Sequence, residues 1–174
     1  NNAGIVDNIA PFEKMTKAAW DREIAVNLTG AFNLIQAVIP GMREQQYGRI
    51  VNVSSAAARG GLIRQAGYSA SKAGLLGLAR AVTLEYARHG VTCNSILPGM
   101  TETEKVRAMP DAIKVGALAM TPAGRFGTVE EAAELVAYLL SAQAGFINGA
   151  EVDIGGGAHL NVTSLGSRKE VAKQ

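Results

Sequence analysis

The chain has 174 residues, is 48% hydrophobic and 18% charged, and carries a formal net charge of +2 with both signs interspersed. This composition is that of an ordinary globular domain, and it excludes the basic stripe with which proteins bind nucleic acid. The sequence also lacks a run of about 18 apolar residues and a signal-peptide pattern, so we expect one cytoplasmic domain with no membrane or nucleic-acid partner.

The first predicted element is a long helix over Trp20–Ile39, WDREIAVNLTGAFNLIQAVI. Apolar residues recur there at steps of three and four, and Pro40 marks the end of the pattern. A short buried strand is predicted next, in GRIVNVSS, where β-branched residues follow a glycine and the strand ends at Ser54 and Ser55. The apolar residues of the helical pattern are Ile24, Leu28, Phe32, Ile35 and Ile39.

A second helix is predicted from about Tyr68 to His89, closed by Gly90. A second strand is predicted in VTCNSIL, where Pro98 and Gly99 stop it. The one cysteine, Cys93, lies in this apolar run. We expect it to be a buried, inert thiol, which suits a reducing cytoplasm.

The segment Met100–Phe126 mixes Thr, Pro, Gly and Met with short helical pieces and has no clean period. Such a segment between regular elements is either a lid or binding loop or simply a surface loop. A third helix is predicted after it, with Thr128 as its N-cap and Glu130 and Glu131 in its first turn. The stretch GAEVDIGGG supplies a third strand.

Strands that alternate with helices of this length predict an α/β fold, a doubly wound parallel sheet with helices on both faces. In such sheets ligands bind beyond the carboxyl ends of the strands. Ser54, Ser55, Pro98 and Gly99 are therefore expected on one rim, beside the start of the helix that carries Tyr68.

The stretch GYSASKAG places Tyr68 and Lys72 four residues apart, with nothing larger than serine between them. On a helix this spacing puts both side chains on one face. A cation held nearby favours the phenolate and lowers the tyrosine pKa from about 10 toward a range that is useful for proton transfer. The alternative is a surface pair in which the lysine stem packs along the ring.

Several motifs together resemble the short-chain dehydrogenase/reductase family, and most closely its 3-oxoacyl-carrier-protein reductase branch. In order, they are NNAG at Asn1–Gly4, NLTG at Asn27–Gly30, GRIVNVSS, YSASK and NSILPGMTET. The step of thirteen residues from Ser55 to Tyr68 is typical of that group. The resemblance extends to about Ala158, and it implies a Rossmann-type sheet.

The resemblance implies a catalytic role for four residues. Tyr68 would be the general acid/base, and Lys72 would lower the pKa of Tyr68 and bind the nicotinamide ribose. Ser55, rather than Ser54, would hold the substrate oxygen. Asn27 would hold a water that links Lys72 to solvent. Taken without the resemblance, either serine could simply end a strand, and Asn27 could be a polar residue satisfied by local backbone.

The resemblance also implies binding residues for a cofactor, NAD or NADP, and for a small carbonyl or alcohol substrate, with no metal site. Residues 101–126 would form the substrate loop or lid. The implied substrate contacts are Ser55, Gln65 and Tyr68. The implied cofactor contacts are Asn1, Ala3, Gly4, Tyr68, Lys72, Pro98, Gly99 and Thr103.

The glycine-rich dinucleotide loop of the family is missing from the sequence. GGGAHL at Gly155–Leu160 does not replace it, because this stretch follows the last strand and opens no helix, so we predict a turn there. The strand around Arg49–Ser54 would have an exposed apolar edge if nothing else paired with it. We therefore expect residues 1–174 to be a partial domain, with the amino-terminal half of the sheet absent, and we expect residues 160–174 to be a tail, either frayed or an interface arm.

The sequence thus predicts an NAD(P)-dependent oxidoreductase that interconverts a ketone and a secondary alcohol, with a 3-oxoacyl thioester as the best single substrate. In the family, the helices that correspond to Trp20–Ile39 and Tyr68–His89 form a subunit contact, so a homotetramer is implied. The alternative is a catalytically inactive, truncated subunit that oligomerises with a complete paralogue. Copurification with a longer homologous subunit would favour that alternative.

Overall fold

The computed structural model of the chain describes residues 1–160, so the tail predicted after Leu160 lies outside the described residues. The described part contains a three-stranded parallel sheet, with the strands in the order β1-β2-β3. Gly48 lies opposite Val91 in the first pair, and Ser95 lies opposite Glu151 in the second. The strands are β1 (Gly48–Val53), β2 (Val91–Pro98) and β3 (Glu151–Ile154).

Helices connect the strands, which confirms the α/β prediction. Short 3₁₀ turns flank several of them, at Phe12–Lys14, Ala87–His89 and Ala142–Ala144. The helices are α1 (Lys17–Ile24), a π-helical turn (Ala25–Thr29), α2 (Gly30–Glu44), α3 (Ala57–Gly60), α4 (Ala66–Tyr86), α5 (Glu104–Arg107), α6 (Asp111–Ala119) and α7 (Val129–Leu140).

The sheet is covered on both faces, as predicted. Helices α2 and α4 pack on one face, where a core cluster joins Ile39 and Val82 to strand residues such as Ile50. Helix α7 packs on the other face, where Leu139 meets Val51 and Ile96. The cysteine is buried in the first cluster, and burial raises the pKa of its thiol to about 12, as expected of an inert group.

Two details of the first helix differ from the prediction. Pro40 lies inside α2 rather than beyond its end. Its missing N–H is tolerated because both Pro40 and Gln36, whose carbonyl lies four residues earlier, are exposed to solvent. The apolar pattern also differs from the buried face, since Phe32 is 44% exposed. The buried residues on this helix are Glu23, Asn27, Ala31, Ile35 and Ile39.

By length and composition alone, the continuous helix Lys17–Glu44 is long and apolar enough to cross a membrane. The core helices of globular domains pass the same test, so this is weak evidence. Here one side of the helix packs on β1 and α4.

Strand β1 is an edge strand among the described residues. On its outer side, the amino group of Asn1 donates to the Val51 carbonyl (2.8 Å), and the Val53 N–H donates to the Asn1 carbonyl (2.9 Å). This alternation is the pattern of a parallel pair. The remainder of that side borders the cavity that is described below.

Gly90 follows the 3₁₀ turn Ala87–His89 that ends the second long helix, and it has a left-handed conformation with a φ of 70°. A Cβ at this position would lie 2.2 Å from the Gln46 carbonyl oxygen, which is a backbone atom that cannot rotate away. We expect Gly90→Ala to lower the free energy of unfolding by at least about 2 kcal/mol, because it combines left-handed strain with this overlap. Urea denaturation checks the prediction.

Gly77→Ala is the matched control on the same structural unit. Gly77 lies inside α4, and no atom lies within 4 Å of a Cβ built there. Alanine is the better helix former, so the free energy of unfolding should rise by about 0.5–1 kcal/mol. Equal effects of the two substitutions would contradict the explanation.

Candidate active site

A cavity of about 1160 Å³ opens at the carboxyl ends of β1 and β2 and continues along the outer edge of β1, between α2 and α7. Most of the residues singled out from the sequence lie around it. Ala3, Asn27 and Gln65 do not line it. Those that do are Asn1, Gly4, Ser54, Ser55, Tyr68, Lys72, Pro98, Gly99 and Thr103.

Tyr68 and Lys72 lie on the first two turns of α4 and face the same cavity. The Lys72 Nζ is 5.7 Å from the centre of the Tyr68 ring and donates to the Val53 carbonyl at 2.8 Å. Lys72 is only 4% exposed. Burial lowers the pKa of its ammonium group from 10.5 to about 8. The group is therefore mostly cationic at neutral pH but loses its proton more readily than an ordinary lysine.

The two serines that follow β1 have different environments. The Ser54 side chain is buried, and its hydroxyl donates to the backbone carbonyl of Lys72 at 2.8 Å. The Ser55 side chain is half-buried, and its hydroxyl oxygen accepts the N–H of Ala57 at 3.1 Å. The Ser55 hydroxyl proton is thus free to be donated into the cavity, while that of Ser54 is used to hold α4 against β1.

Asn27 lies in the π-helical turn and is 1% exposed. Its Oδ1 accepts the N–H of Ile5 at 2.8 Å, and its Nδ2 donates to the Ile5 carbonyl (3.0 Å) and to the Ser71 hydroxyl (3.1 Å). The side chain thereby joins the segment after Gly4 to α4. π-Helical turns inside α-helices occur frequently at functional sites.

Gly4 is the point at which the first segment comes closest to Lys72. A Cβ there would lie 3.2 Å from Lys72 Nζ and 3.6 Å from Asn27 Oδ1. A larger residue would therefore occupy space beside the ammonium group. The ammonium donor of Lys72 fits a hydroxyl group of the ribose of a dinucleotide, and the part of the chain from 1 to 160 offers no glycine-rich loop that opens a helix for its pyrophosphate.

The other sequence-predicted binding residues are placed as follows. Asn1 Nδ2 donates to Asn52 Oδ1 at 2.7 Å. Gly99 packs against a neighbouring backbone, since a Cβ there would lie 2.8 Å from the Cα of Gly155. Thr103 borders the cavity and caps α5 by accepting the N–H of Val106 at 3.3 Å. Ala3 is exposed, and Gln65 directly precedes α4 without a side-chain capping bond.

The segment 101–126 is fastened at its base. Thr101 and Gly127 form an isolated parallel bridge, in which the Gly127 N–H donates to the Met100 carbonyl (3.0 Å) and the Glu102 N–H donates to the Gly127 carbonyl (2.9 Å). Helices α5 and α6 lie between these fixed ends. Such a closed base with short helices above it is compatible with a lid, which stays a prediction.

Sequence reasoning missed several residues that border the cavity. Lys105 on α5 lines it, and its Nζ lies 3.5 Å from the Val6 carbonyl. No local pattern marks this lysine, because the segment around it has no clean period. The apolar wall beside β1 was also missed, and its side chains come from α2 and α7: Leu34, Val38, Met42, Val136 and Leu140.

Comparisons with known proteins identify relatives of this chain. The chain is 45% identical over 158 residues to the acetoacetyl-CoA reductase of Shinella zoogloeoides, and this alignment covers 90% of this chain and 65% of that protein. It is 42% identical over 147 residues to the (3R)-3-hydroxyacyl-CoA dehydrogenase of Rattus norvegicus, and this alignment covers 84% of this chain and 57% of that protein. The chain spans about two thirds of the length of the first curated relatives that it matches.

A solved structure, the 3-oxoacyl-[acyl-carrier protein] reductase from Brucella melitensis, matches the fold with a TM-score of 0.89 and 32% identity, over 92% of this chain and 62% of that chain. Residues 1–159 match the family model described as Enoyl-(Acyl carrier protein) reductase. The chain belongs to the short-chain dehydrogenase/reductase family, as its motifs and its fold both indicate.

Proposed function

We propose that this chain carries the catalytic centre of an NAD(P)-dependent oxidoreductase that interconverts a ketone and a secondary alcohol on a 3-oxoacyl thioester. The observation that carries the proposal is the convergence of Tyr68, Lys72 and Ser55 on one cavity at the carboxyl edge of the sheet. The names of the relatives, which are thioester reductases and dehydrogenases, support the substrate class.

In this proposal the residues act on the substrate oxygen. Ser55 donates a hydrogen bond to the carbonyl oxygen and orients it. The Tyr68 phenol gives its proton to that oxygen during reduction and takes one from the alcohol in the reverse direction. The Lys72 ammonium, 5.7 Å from the ring centre, stabilises the phenolate that is left. A bound nicotinamide supplies or accepts the hydride.

The nicotinamide end of the cofactor is assigned to Gly4, Lys72 and Thr103, which line the cavity together. Lys72 is the hydrogen-bond donor to the ribose hydroxyls, and its pKa of about 8 keeps it mostly protonated at neutral pH. Asn27 is assigned to the proton path, because it is buried beside Gly4 and Ser71 and lies close to Lys72 without bonding to it.

The assay that tests the function follows absorbance at about 340 nm while the purified full-length protein is mixed with acetoacetyl-CoA and NADH or NADPH. Consumption of one cofactor that depends on the thioester is expected. The absence of turnover with both cofactors, across short and long 3-oxoacyl thioesters, would overturn the proposal.

The two serines provide a matched pair of substitutions. Ser55→Ala is expected to lower kcat by about 10²-fold, because it removes an oriented donor to the developing charge, and to lower the urea midpoint less than Ser54→Ala does, because the bond that it loses, from the Ala57 N–H, is only partly buried. Ser54→Ala should lower the midpoint, because it removes a buried bond to the Lys72 carbonyl. Steady-state kinetics and urea denaturation of both variants check this. A larger kcat loss in Ser54→Ala than in Ser55→Ala would reverse the assignment.

A homotetramer belongs to the same proposal. The two long helices expose apolar side chains on their outer surfaces, including Phe32 and Leu84, and Phe146 is fully exposed near β3. Exposed apolar residues of this size are typical of surfaces that contact another subunit. Light scattering on the eluted protein tests the oligomeric state.

A further inference from the structure

Glu23 is a buried carboxyl group on α1 that the proposed chemistry does not use. It is 1% exposed, although its neighbours Asp21 and Arg22 on the same helix are exposed. Its Oε1 accepts the N–H groups of Asp7 (3.2 Å) and Asn8 (3.3 Å). Glu23 thus ties α1 to the segment that follows Gly4.

The other oxygen of Glu23 points toward the helix that carries Tyr68. A Cβ on Gly67 would lie only 2.4 Å from Glu23 Oε2, so the carboxyl group fills the space that a side chain at this position would occupy. Gly67 does not have a positive φ, so the backbone conformation does not require a glycine there. The absence of a side chain at Gly67 serves the contact with Glu23, directly before Tyr68.

Glu23 and Asn27 form two parallel connections between the same parts of the molecule. They lie four residues apart on α1 and the π-helical turn, and their partners on α4, Gly67 and Ser71, are also four residues apart. On the other side both hold the segment 5–8. Gly4, directly before that segment, lies beside Lys72 Nζ.

This arrangement is costly for stability. Among the described residues, Glu23 Oε2 has no hydrogen-bond partner. A buried polar atom without a partner costs free energy, and the two N–H groups that Oε1 accepts offset part of that cost. An apolar side chain would leave those two N–H groups without an acceptor, so the carboxyl group is required for its contact with the segment 5–8 rather than for packing.

We propose that Glu23 is a positioning residue for the reaction. It holds the segment 5–8 at a fixed separation from the first turn of α4, and so keeps Gly4 in place beside Lys72. The effect on turnover rests on the proposed function, whereas the effect on local structure does not. A displacement of about 1 Å at a reacting centre is enough to cost up to about 10²-fold in rate.

The test compares Glu23→Ala with Glu23→Gln and with Asp21→Ala, an exposed carboxylate on the same helix. We expect Glu23→Ala to lower kcat by about ten-fold or more with KM within about two-fold, because the substrate contacts are intact. Glu23→Gln keeps the acceptor oxygen and the shape, so its kcat should stay within about two-fold of the unsubstituted chain. Asp21→Ala should have no effect.

Gly67→Ala provides a second variant that keeps the carboxyl group and displaces it. Alone it should lower kcat as Glu23→Ala does. In the Glu23→Ala background it should cause no further loss, because the overlap is gone, and the two substitutions are then strongly non-additive. If Glu23→Ala yields no folded protein, Gly67→Ala is compared with the double variant Glu23→Gln/Gly67→Ala instead. The double variant should have the same reduced kcat as Gly67→Ala, because the glutamine side chain overlaps with the new methyl group just as the glutamate does.

Hydrogen exchange by mass spectrometry separates this proposal from the proposed function. Faster exchange in both 5–8 and 66–72, in Glu23→Ala or Gly67→Ala, supports positioning even if the chain shows no turnover. Faster exchange confined to 5–8, an unchanged kcat in an active chain, or a loss in Glu23→Gln as large as in Glu23→Ala would each overturn it.

Discussion

Replacing Tyr68 with phenylalanine is expected to lower kcat by about 10³-fold, because a positioned general acid/base contributes about 10²–10⁴-fold to a reaction rate. The substitution removes one oxygen and leaves the ring, which lies 5.7 Å from Lys72 Nζ. The fold should therefore be unchanged. The measurement is the thioester-dependent oxidation of NADH or NADPH, with circular dichroism on the same sample.

Tyr86→Phe is the control, since Tyr86 lies at the far end of the same helix and packs partly buried against the core. It should retain full activity. A Tyr68→Phe enzyme with more than about a tenth of the original kcat would show that another group, or water, transfers the proton.

The pH dependence of the same reaction involves Lys72 directly. Burial lowers the pKa of its ammonium group to about 8, so the cation that stabilises the Tyr68 phenolate is lost as the pH rises above that value. The contribution of Tyr68 to kcat therefore depends on the protonation of Lys72, and a measurement of kcat at one pH does not separate the two contributions.

The elements of the fold were predictable because each one has a local signal. β-Branched residues after a glycine mark β1, and the capping box at Thr128, with Glu131 as its partner, marks the start of α7. Gly90 has the left-handed conformation expected at the end of the second long helix. The turn predicted in GGGAHL is also present.

The buried face of the first helix was not predictable from periodicity. Steps of three and four residues on a regular α-helix predict the apolar set that includes Leu28 and Phe32. The π-helical turn at Ala25–Thr29 interrupts the 3.6-residue period, and the buried residues recur at a step of four from Glu23 to Ile39. Nothing local in the sequence marks such a turn.

The candidate site also has one part that the sequence predicts and another part that it does not. Tyr68 and Lys72 share a face because of spacing on one helix, which is a local property. The different surroundings of Ser54 and Ser55 depend on a backbone carbonyl 18 residues away from Ser54. Glu23 was missed because a glutamate in an amphipathic pattern is ordinarily exposed, and its partners at Asp7 and Gly67 are distant in sequence.

Replacing Lys72 with methionine is expected to abolish turnover and at the same time to stabilise the protein. The fall of the Lys72 pKa from 10.5 to about 8 corresponds to a cost of about 3 kcal/mol for holding the cation in the folded chain. Methionine removes that cost and also loses the bond to the Val53 carbonyl, worth about 1 kcal/mol. The free energy of unfolding at pH 7 should therefore rise by about 2 kcal/mol.

The sign of the pH dependence gives a sharper test than the size of the gain. Below pH 8 both the folded and the unfolded chain hold the Lys72 proton, and the full cost is present. Between about pH 8 and 10.5 the unfolded chain holds a proton that the folded chain has released, so the original protein becomes more stable as the pH rises. Lys72→Met lacks this rise, and its advantage should shrink across that window.

Urea denaturation of both proteins between pH 7 and about pH 10 measures the difference directly. The Cys93 thiol, with its pKa raised to about 12 by burial, titrates equally in both proteins and cancels in the subtraction. Lys14→Met, at an exposed lysine, should show no such gain. A constant difference between Lys72→Met and the original chain at all pH values would mean that packing, and not the buried charge, sets the stability of this site. A shrinking difference would mean that the protein holds a destabilising cation at the position where the proposed reaction needs one.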